Sequence, residues 1–224
     1  MRRTPEPAEL MDDPAQARAY ADADFDASNA LFVALFGRLH PGGFRGRALD
    51  LGCGPGDIPI RLARAHPDAA IDAVDGAEAM LAIARRAAAA EPQVAARLRW
   101  LRAIVPDPAL ETGAYDAVLS NSLLHHVGDP VGLWRTVRDA ARPGAAVLAM
   151  DLARPADEGE VERLLALHAV GAPDLVLRDF RASLHAAYRV EEVREQLAAA
   201  GLAGLEVAMV SDRHLAVYGR LPAG

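Results

Sequence analysis

The 224-residue sequence predicts an α/β protein with a doubly wound, mostly parallel seven-stranded sheet, an antiparallel C-terminal strand and an N-terminal helical lid. From Arg47 onward, short apolar runs alternate with helical patterns, which is typical of right-handed crossovers between parallel strands. The last two apolar runs are separated by only four residues, so they form an antiparallel hairpin at the sheet edge. A glycine-rich turn after the first run marks the carboxyl end of that strand.

Two helices precede the sheet in the predicted order. Residues 14–26 form a polar helix with Pro14 in its first turn, and residues 28–39 carry apolar side chains at helical spacing. We therefore divide the chain into an N-terminal arm and helical lid, residues 1–43, and a domain of residues 44–224.

The sheet elements follow in alternation. The strand candidates are residues 48–51, 70–74, 98–103, 117–120, 145–150, 205–210 and 215–218. The helix candidates are residues 58–65, 77–90, 131–141 and 190–200. A long insert, residues 153–188, separates the fifth strand from the final helix.

Composition excludes several classes of function. The formal net charge is −7, with no long basic run, so no nucleic-acid partner is expected. All 24 basic residues are arginine, which excludes Schiff-base chemistry and a lysine-containing phosphate loop. The single cysteine, Cys53, cannot form an intrachain disulfide, and no apolar run is long enough for a membrane span. We expect a cytoplasmic protein.

The turn after the first strand predicts a nucleotide-type ligand. Gly52, Gly54 and Gly56 alternate directly after Asp50, and glycine lets the backbone turn tightly and approach a ligand closely. The following helix directs its unpaired N–H groups toward the same place. Asp75 ends the second strand, where its carboxylate can accept hydrogen bonds from both hydroxyls of a ribose, although it could instead cap the next helix. The glycine spacing disfavours a dinucleotide.

Four successive segments resemble the motifs of the class I S-adenosylmethionine-dependent methyltransferases. The segments are Leu49-Asp50-Leu51-Gly52-Cys53-Gly54-Pro55-Gly56, Val74-Asp75-Gly76-Ala77-Glu78-Ala79-Met80-Leu81, Tyr115-Asp116-Ala117-Val118-Leu119-Ser120-Asn121 with Leu124-His125-His126, and Arg142-Pro143-Gly144. The resemblance covers residues 45–152 well, and it implies the Rossmann-like methyltransferase fold with a reversed seventh strand.

The resemblance implies a role for each matched position. Asp50 and the backbone of Gly52, Gly54 and Gly56 would approach the methionine part of S-adenosylmethionine, and Asp75 the ribose. Gly76 and Met80 would line the adenine slot, and Asn121 would lie beneath the sulfonium. Outside the matched segments, Tyr20 of the N-terminal helix could form a lid over the cofactor carboxylate, although a solvated helix face also explains it. The family often has an acidic residue after the third strand to hold adenine. This sequence has Ala103-Ile104 at that position, so backbone groups or Asp107 would hold the adenine instead.

Candidates for the acceptor side follow the fourth strand and lie in the insert. His125 and His126 stand beside the expected methyl group, where an imidazole could take a proton from the acceptor. Either ring could instead pack or cap the next helix. Asp179, Ser183, His185 and Tyr188 are candidates for the substrate pocket, although helical spacing also fits a cover helix. No metal is required, because the histidines show no strong zinc spacing.

The predicted function is transfer of a methyl group from S-adenosylmethionine to a small-molecule acceptor, leaving S-adenosylhomocysteine, with no membrane partner and a homodimer possible. Two alternatives stay open. The first is a non-catalytic S-adenosylmethionine-binding regulatory module, because binding and turnover are different properties. The second is a NAD(P)-dependent oxidoreductase, which the glycine spacing disfavours. A pocket open beside the methyl group would favour the enzyme, and a plugged one the binding module.

Overall fold

A computed structural model describes residues 1–6 and 10–224. The first strand, β1, spans Gly46–Leu51; it is followed by β2 Ala69–Asp75, β3 Leu98–Arg102, β4 Tyr115–Asn121, β5 Ala141–Leu152, β6 Glu206–Met209 and β7 His214–Arg220. These strands form one sheet in the order β3-β2-β1-β4-β5-β7-β6. Only β7 is antiparallel to its neighbours, which confirms the predicted fold class. Strand order reverses between β1 and β4, which therefore mark the switch point of the sheet.

Helices cover both faces of the sheet. They are α1 Pro14–Ala21, α2 Asp26–Leu39, α3 Asp57–Ala65, α4 Glu78–Ala89, α5 Pro92–Ala95, α6 Pro130–Ala140, α7 Glu158–His168, α8 Asp174–Ala186 and α9 Val190–Ala199. A single 3₁₀ turn, Leu124–His126, follows β4. Among the described residues, no helix has the length and apolar character required to cross a membrane.

The two faces have separate apolar cores. On one face, Phe32 and Phe36 of α2 pack with Ile60 and Leu62 of α3. On the other face, α6 and α9 pack against the sheet around the fully buried Trp134. The Trp134 indole N–H donates to Gln196 Oε1 (3.0 Å), so its polar atom is satisfied inside the core. The sheet is thus rigidly covered, and its strand ends can hold a site in place.

The N-terminal region differs from the prediction in two helix boundaries. The first helix ends at Ala21 rather than Asp26, and the second begins at Asp26 rather than Ser28. Asp13 caps α1 by accepting hydrogen bonds from the N–H groups of Ala15 and Gln16. The 22–25 break lets α1 turn away from α2 and pack on α4. The lid is therefore a separate short helix beside the strand ends.

The long insert folds into two helices, α7 and α8, with a small apolar core of their own. Val161 and Leu164 of α7 pack with Leu184 of α8 and with Leu152 at the end of β5. Strand β5 runs from residue 141 to 152, beyond both ends of the predicted 145–150, so it carries the chain directly to the site. The insert is thus a helical cover joined to the sheet.

The arginines of β3 and the residue before it are occupied within the protein. Arg97 donates to backbone carbonyls of α3 and the α3–β2 connection, and Arg99 pairs with Asp72 and Glu111. Arg102 lies 3.5 Å from Asp12. All three arginines are thus paired within the protein, although the side chains of Arg99 and Arg102 are 53% and 57% exposed.

Candidate functional site

The candidate site lies at the carboxyl ends of β1, β2 and β4, beside the switch point. Gly52, Gly54 and Gly56 all have positive φ, at 74°, 52° and 91°. A Cβ on Gly52 would lie 2.9 Å from the Leu123 side chain, and one on Gly56 would lie 2.9 Å from Ala84 and Trp100. Apart from Gly54 itself and its two chain neighbours, no described residue has an atom within 4 Å of a Cβ built on Gly54. Two of the glycines are therefore required by packing, and Gly54 borders open space.

Asp75 connects this loop to the next strand. Its carboxylate accepts hydrogen bonds from the backbone N–H of Gly54 and of Ala77, both at 2.8 Å. Burial raises the pKa of Asp75, although these two hydrogen bonds act in the opposite direction. Asp75 therefore holds the glycine loop against the start of α4, and its remaining lone pairs are available to a ligand.

Two polar side chains near the loop have buried oxygens without partners. Asp50 is 1% exposed, and neither carboxylate oxygen has a hydrogen-bond partner among the described residues. Burial, and secondarily the charge of Asp75, raises the pKa of Asp50 to about 7. The side-chain oxygen of Asn121 at the end of β4 is likewise buried and unpartnered in this part of the chain. Such acceptors usually have a partner, so this arrangement suits a ligand with hydrogen-bond donors or positive charge.

The lid covers this region from the side of α4. Met80 is buried and packs with Ala17 of α1 and Ala77, and Tyr20 packs at the edge of this cluster. Burial, and then the negative charges of Asp57, Asp151 and Asp75, raises the pKa of Tyr20 to about 12. The Tyr20 hydroxyl therefore keeps its proton and can act as a hydrogen-bond donor beside these carboxylates.

The expected adenine slot has apolar walls at Gly76. A Cβ there would lie 2.9 Å from Leu10 and 3.2 Å from Ile104, two side chains that are 44% and 62% exposed. Asp107 accepts a hydrogen bond from the Ala109 N–H (2.8 Å) within its own turn. Large exposed apolar side chains beside a ligand slot suit a flat aromatic ring between them.

His125 is held rigidly. It is 3% exposed, and its Nδ1 lies 2.6 Å from Asp151 Oδ1. The same carboxylate accepts hydrogen bonds from the N–H groups of Leu124 (2.6 Å) and Leu152 (2.7 Å). Burial alone would lower the pKa of His125, but the adjacent Asp151 raises it overall. Asp151 therefore fixes the orientation of the ring and leaves Nε2 as its other polar atom.

His126 is more accessible, and it contacts a residue from the distant N-terminus. Its Nδ1 lies 2.5 Å from Glu6 Oε2, and the other oxygen of Glu6 accepts a hydrogen bond from the Ser183 hydroxyl (2.8 Å). Burial opposes ionisation of Glu6, but its contacts with His126 lower its pKa overall. The rings of His125 and His126 lie 3.9 Å apart, so the three residues Glu6, His125 and His126 form one cluster, here named the acceptor-side cluster.

The N-terminal segment, residues 1–6, crosses the site on this side. Arg3 donates to the carbonyls of Ala186 (2.6 Å) and His125 (3.1 Å), and its guanidinium lies 4.0 Å above the Tyr188 ring. The Thr4 N–H donates to the His185 carbonyl (3.0 Å). The segment is thereby fixed between the 3₁₀ turn after β4 and the end of α8.

The structure brings together only some of the predicted substrate residues. Ser183 and Tyr188 contact the N-terminal segment beside the two histidines. Asp179 instead pairs with its neighbour Arg178 (3.0 Å), and His185 Nε2 lies 3.5 Å from Glu158 of α7. These last two side chains are paired with residues that do not belong to the acceptor-side cluster.

Two residues of the site were missed by the sequence reasoning. Glu6 lies in a short proline-containing arm with no periodic pattern, so no local signal points to it. Asp151 follows directly on the predicted fifth strand, and its place at a strand end beside the switch point is a signal that could have been used.

Comparison with known sequences shows similarity to methyltransferases. Residues 49–147 match a family described as a methyltransferase domain. An uncharacterised methyltransferase of Mycobacterium tuberculosis is 30% identical over 145 residues, which is 65% of this chain and 64% of the relative. The ubiquinone biosynthesis O-methyltransferase of Acinetobacter baylyi is 33% identical over 110 residues, covering 48% of this chain and 44% of the relative. The chain thus spans just under two thirds of the first of these relatives.

Comparison with solved structures supports the fold. A putative S-adenosyl-L-methionine-dependent methyltransferase of Methanococcus maripaludis superimposes with a TM-score of 0.71 at 16% sequence identity. The match covers 100% of this chain and 98% of that chain. At this identity the similarity shows that the two chains share a fold.

Proposed function

We propose that the chain is a class I S-adenosylmethionine-dependent methyltransferase that transfers the methyl group of S-adenosylmethionine to a small-molecule acceptor. The observation that carries the proposal is the combination of open space at Gly54 with the unpartnered buried oxygens of Asp50 and Asn121. A ligand that is cationic at its amino group and sulfonium supplies what these oxygens lack.

The residues present fit this cosubstrate. Asp50 and the Gly54 backbone would hold the amino acid part, Asp75 the ribose, and the apolar walls at Gly76 the adenine. When bound, S-adenosylmethionine supplies a methyl group that is already activated on sulfur. The protein therefore contributes alignment and exclusion of water, which is consistent with the covering lid.

The acceptor-side cluster supports a role in preparing the acceptor. The nucleophile must lose a proton before or during attack on the methyl carbon, and imidazole and carboxylate groups can receive it. His125 is fixed by Asp151, and the ring of His126 lies 3.9 Å from that of His125 on the more exposed side of the pair. Both histidines and Ser183 are proposed to contact the acceptor side of the reaction.

Calorimetry tests cosubstrate binding directly. S-Adenosylmethionine and S-adenosylhomocysteine should bind the purified chain with one site, and NAD(H) should not. Asp75→Asn should weaken both by at least about tenfold, because an amide cannot accept hydrogen bonds from both hydroxyls of the ribose while still holding the loop. Selective NAD(H) binding would reject the proposal.

Incubation of the chain with a metabolite extract and a methyl-labelled donor tests transfer. Mass spectrometry should find a labelled small molecule that is absent when the chain is omitted. The segment of residues 1–6 across the acceptor side also favours a second candidate, a non-catalytic binding module. Donor binding without a labelled product in any extract would support that second candidate.

A further inference from the structure

Three metal-ligating side chains meet on the acceptor side of the site. One ligand atom from each of Glu6, His125 and His126 can be chosen so that all three lie within 4.8 Å of one another. Imidazole nitrogen and carboxylate oxygen are ligands of divalent transition metals, and two histidines with one carboxylate leave coordination positions open for a substrate. We propose that the acceptor-side cluster binds a divalent transition-metal ion such as Zn²⁺.

Neighbouring residues orient the side chains of the cluster in a way that is typical of metal sites. A metal-binding histidine commonly donates its other ring N–H to a carboxylate, which fixes the ring and its tautomer. His125 has this arrangement, because its Nδ1 bonds to the buried Asp151 and Nε2 is left as the ligand atom. Glu6 is also oriented by a neighbour, since Ser183 donates to Oε1. Both partners come from elements outside the cluster itself.

The contact between Glu6 and His126 is compatible with metal binding. At 2.5 Å these two groups are in hydrogen-bond contact, and a metal ion would replace this hydrogen bond between the same two atoms. Replacement requires a small separation of the atoms, which is feasible because Glu6 lies in a segment without regular secondary structure. With both imidazoles neutral, Glu6 and Asp151 carry two negative charges, which balance a dication.

The site also indicates a class of acceptor, a conclusion that rests on the proposed methyl transfer. A Lewis-acidic ion lowers the pKa of a bound hydroxyl, so the acceptor would carry an ionisable oxygen, as in an alcohol or phenol. Its O–H bond breaks and the proton passes to solvent. The oxygen lone pair then forms the C–O bond while the C–S bond breaks, and the S–C electron pair stays on the sulfur of S-adenosylhomocysteine.

Metal titration of the full chain tests the site without any methyl transfer. After chelator treatment, calorimetry with Zn²⁺ should show one site, and Co²⁺ should give visible absorption bands typical of nitrogen and oxygen ligands. Glu6→Gln and His126→Gln should each weaken Zn²⁺ binding by at least about tenfold, because even partners outside the ligand set contribute that much. His168→Gln is the matched control, since His168 also pairs with a carboxylate, Asp212, but at another place.

The outcomes separate the metal site from the proposed function. Loss of binding in the two cluster variants, with normal binding in the control and unchanged circular dichroism, supports the site. Absence of Zn²⁺ binding by the wild-type chain, or equal binding by all four proteins, overturns it. Failure of S-adenosylmethionine to bind in a parallel titration would reject the methyl-transfer proposal and the acceptor class while leaving the metal result intact.

Discussion

Replacement of Asp50 by asparagine should make the unliganded protein more stable at neutral and higher pH. The carboxylate is buried without a partner among the described residues, and its pKa is about 7, compared with an ordinary value of 3.8. Between these two values the folded protein holds a proton that the unfolded chain has released. The free energy of unfolding therefore falls as pH rises through this window, because the folded state must eventually ionise a desolvated group.

The magnitude follows from the difference between the two pKa values. About three pH units at about 1.4 kcal/mol each correspond to about 4 kcal/mol. The amide introduced by Asp50→Asn does not titrate, so the variant should gain about 4 kcal/mol relative to wild type between about pH 4 and about pH 8. If the buried amide destabilises the fold, it does so equally at every pH. It therefore does not alter how the stability difference between variant and wild type changes with pH. For a chain of this size, the gain corresponds to a relative shift of about 10 °C in Tm.

Thermal and urea unfolding of both proteins across this pH range provides the assay, without ligand. Asp174→Asn, at an exposed position on α8, is the matched control for removal of one carboxylate. A stability difference between Asp50→Asn and wild type that stays constant with pH would refute the reasoning. The same variant should bind S-adenosylmethionine more weakly, because it removes the negative charge proposed to meet the amino group.

Three further substitutions test the glycine loop and the Asp151–His125 pair, and a fourth tests the proposed contact of Asp75 with the ribose. Gly56→Ala should lower the free energy of unfolding by about 2–4 kcal/mol in urea titrations, since its Cβ meets packed side chains at a positive φ. Gly54→Ala should lower the free energy of unfolding by only about 1 kcal/mol but should block calorimetric binding of the cosubstrate, because its Cβ enters open space. Equal effects of Gly54→Ala and Gly56→Ala on stability and on binding would contradict these separate roles. Asp151→Asn should destabilise the fold by about 3–5 kcal/mol in the same titrations by leaving His125 without its charged partner, and a change below about 1 kcal/mol would argue against that pair. Asp75→Asn should raise the Kd for S-adenosylhomocysteine at least about tenfold with little change in circular dichroism, and retained affinity would exclude the ribose role.

The sheet could be predicted because its signals are local. Each strand is a short apolar run followed by a turn and a helical pattern, and the four-residue link before β7 permits only a hairpin. The break between α1 and α2 was predicted at residue 27 but lies at residues 22–25, because the packing of α1 on α4 decides where the chain turns. Tertiary contact prevailed over local pattern there.

The cofactor side and the acceptor side of the site differ in how far local sequence predicts them. The cofactor side depends on glycines and strand-end carboxylates that stand close together in sequence, so their order alone indicates them. The acceptor side depends on contacts such as Glu6 with His126 and Asp151 with His125, which join separate elements. The insert showed helical spacing, but only the packed structure shows that Ser183 bonds to Glu6 of the cluster and that Asp179 pairs with Arg178.

The fixation of the N-terminal segment has a consequence for the order of folding. Arg3 bonds to Ala186, 183 residues away, whereas the glycine loop and Asp75 are closed by contacts over 21 residues. Short loops close with little loss of chain entropy and can form early, whereas contacts of high sequence separation form late. During synthesis on the ribosome, the donor side of the site, formed by the glycine loop and Asp75, can therefore assemble well before α8 emerges. The acceptor half completes last, so a nascent or truncated chain would hold the donor side without a finished acceptor side.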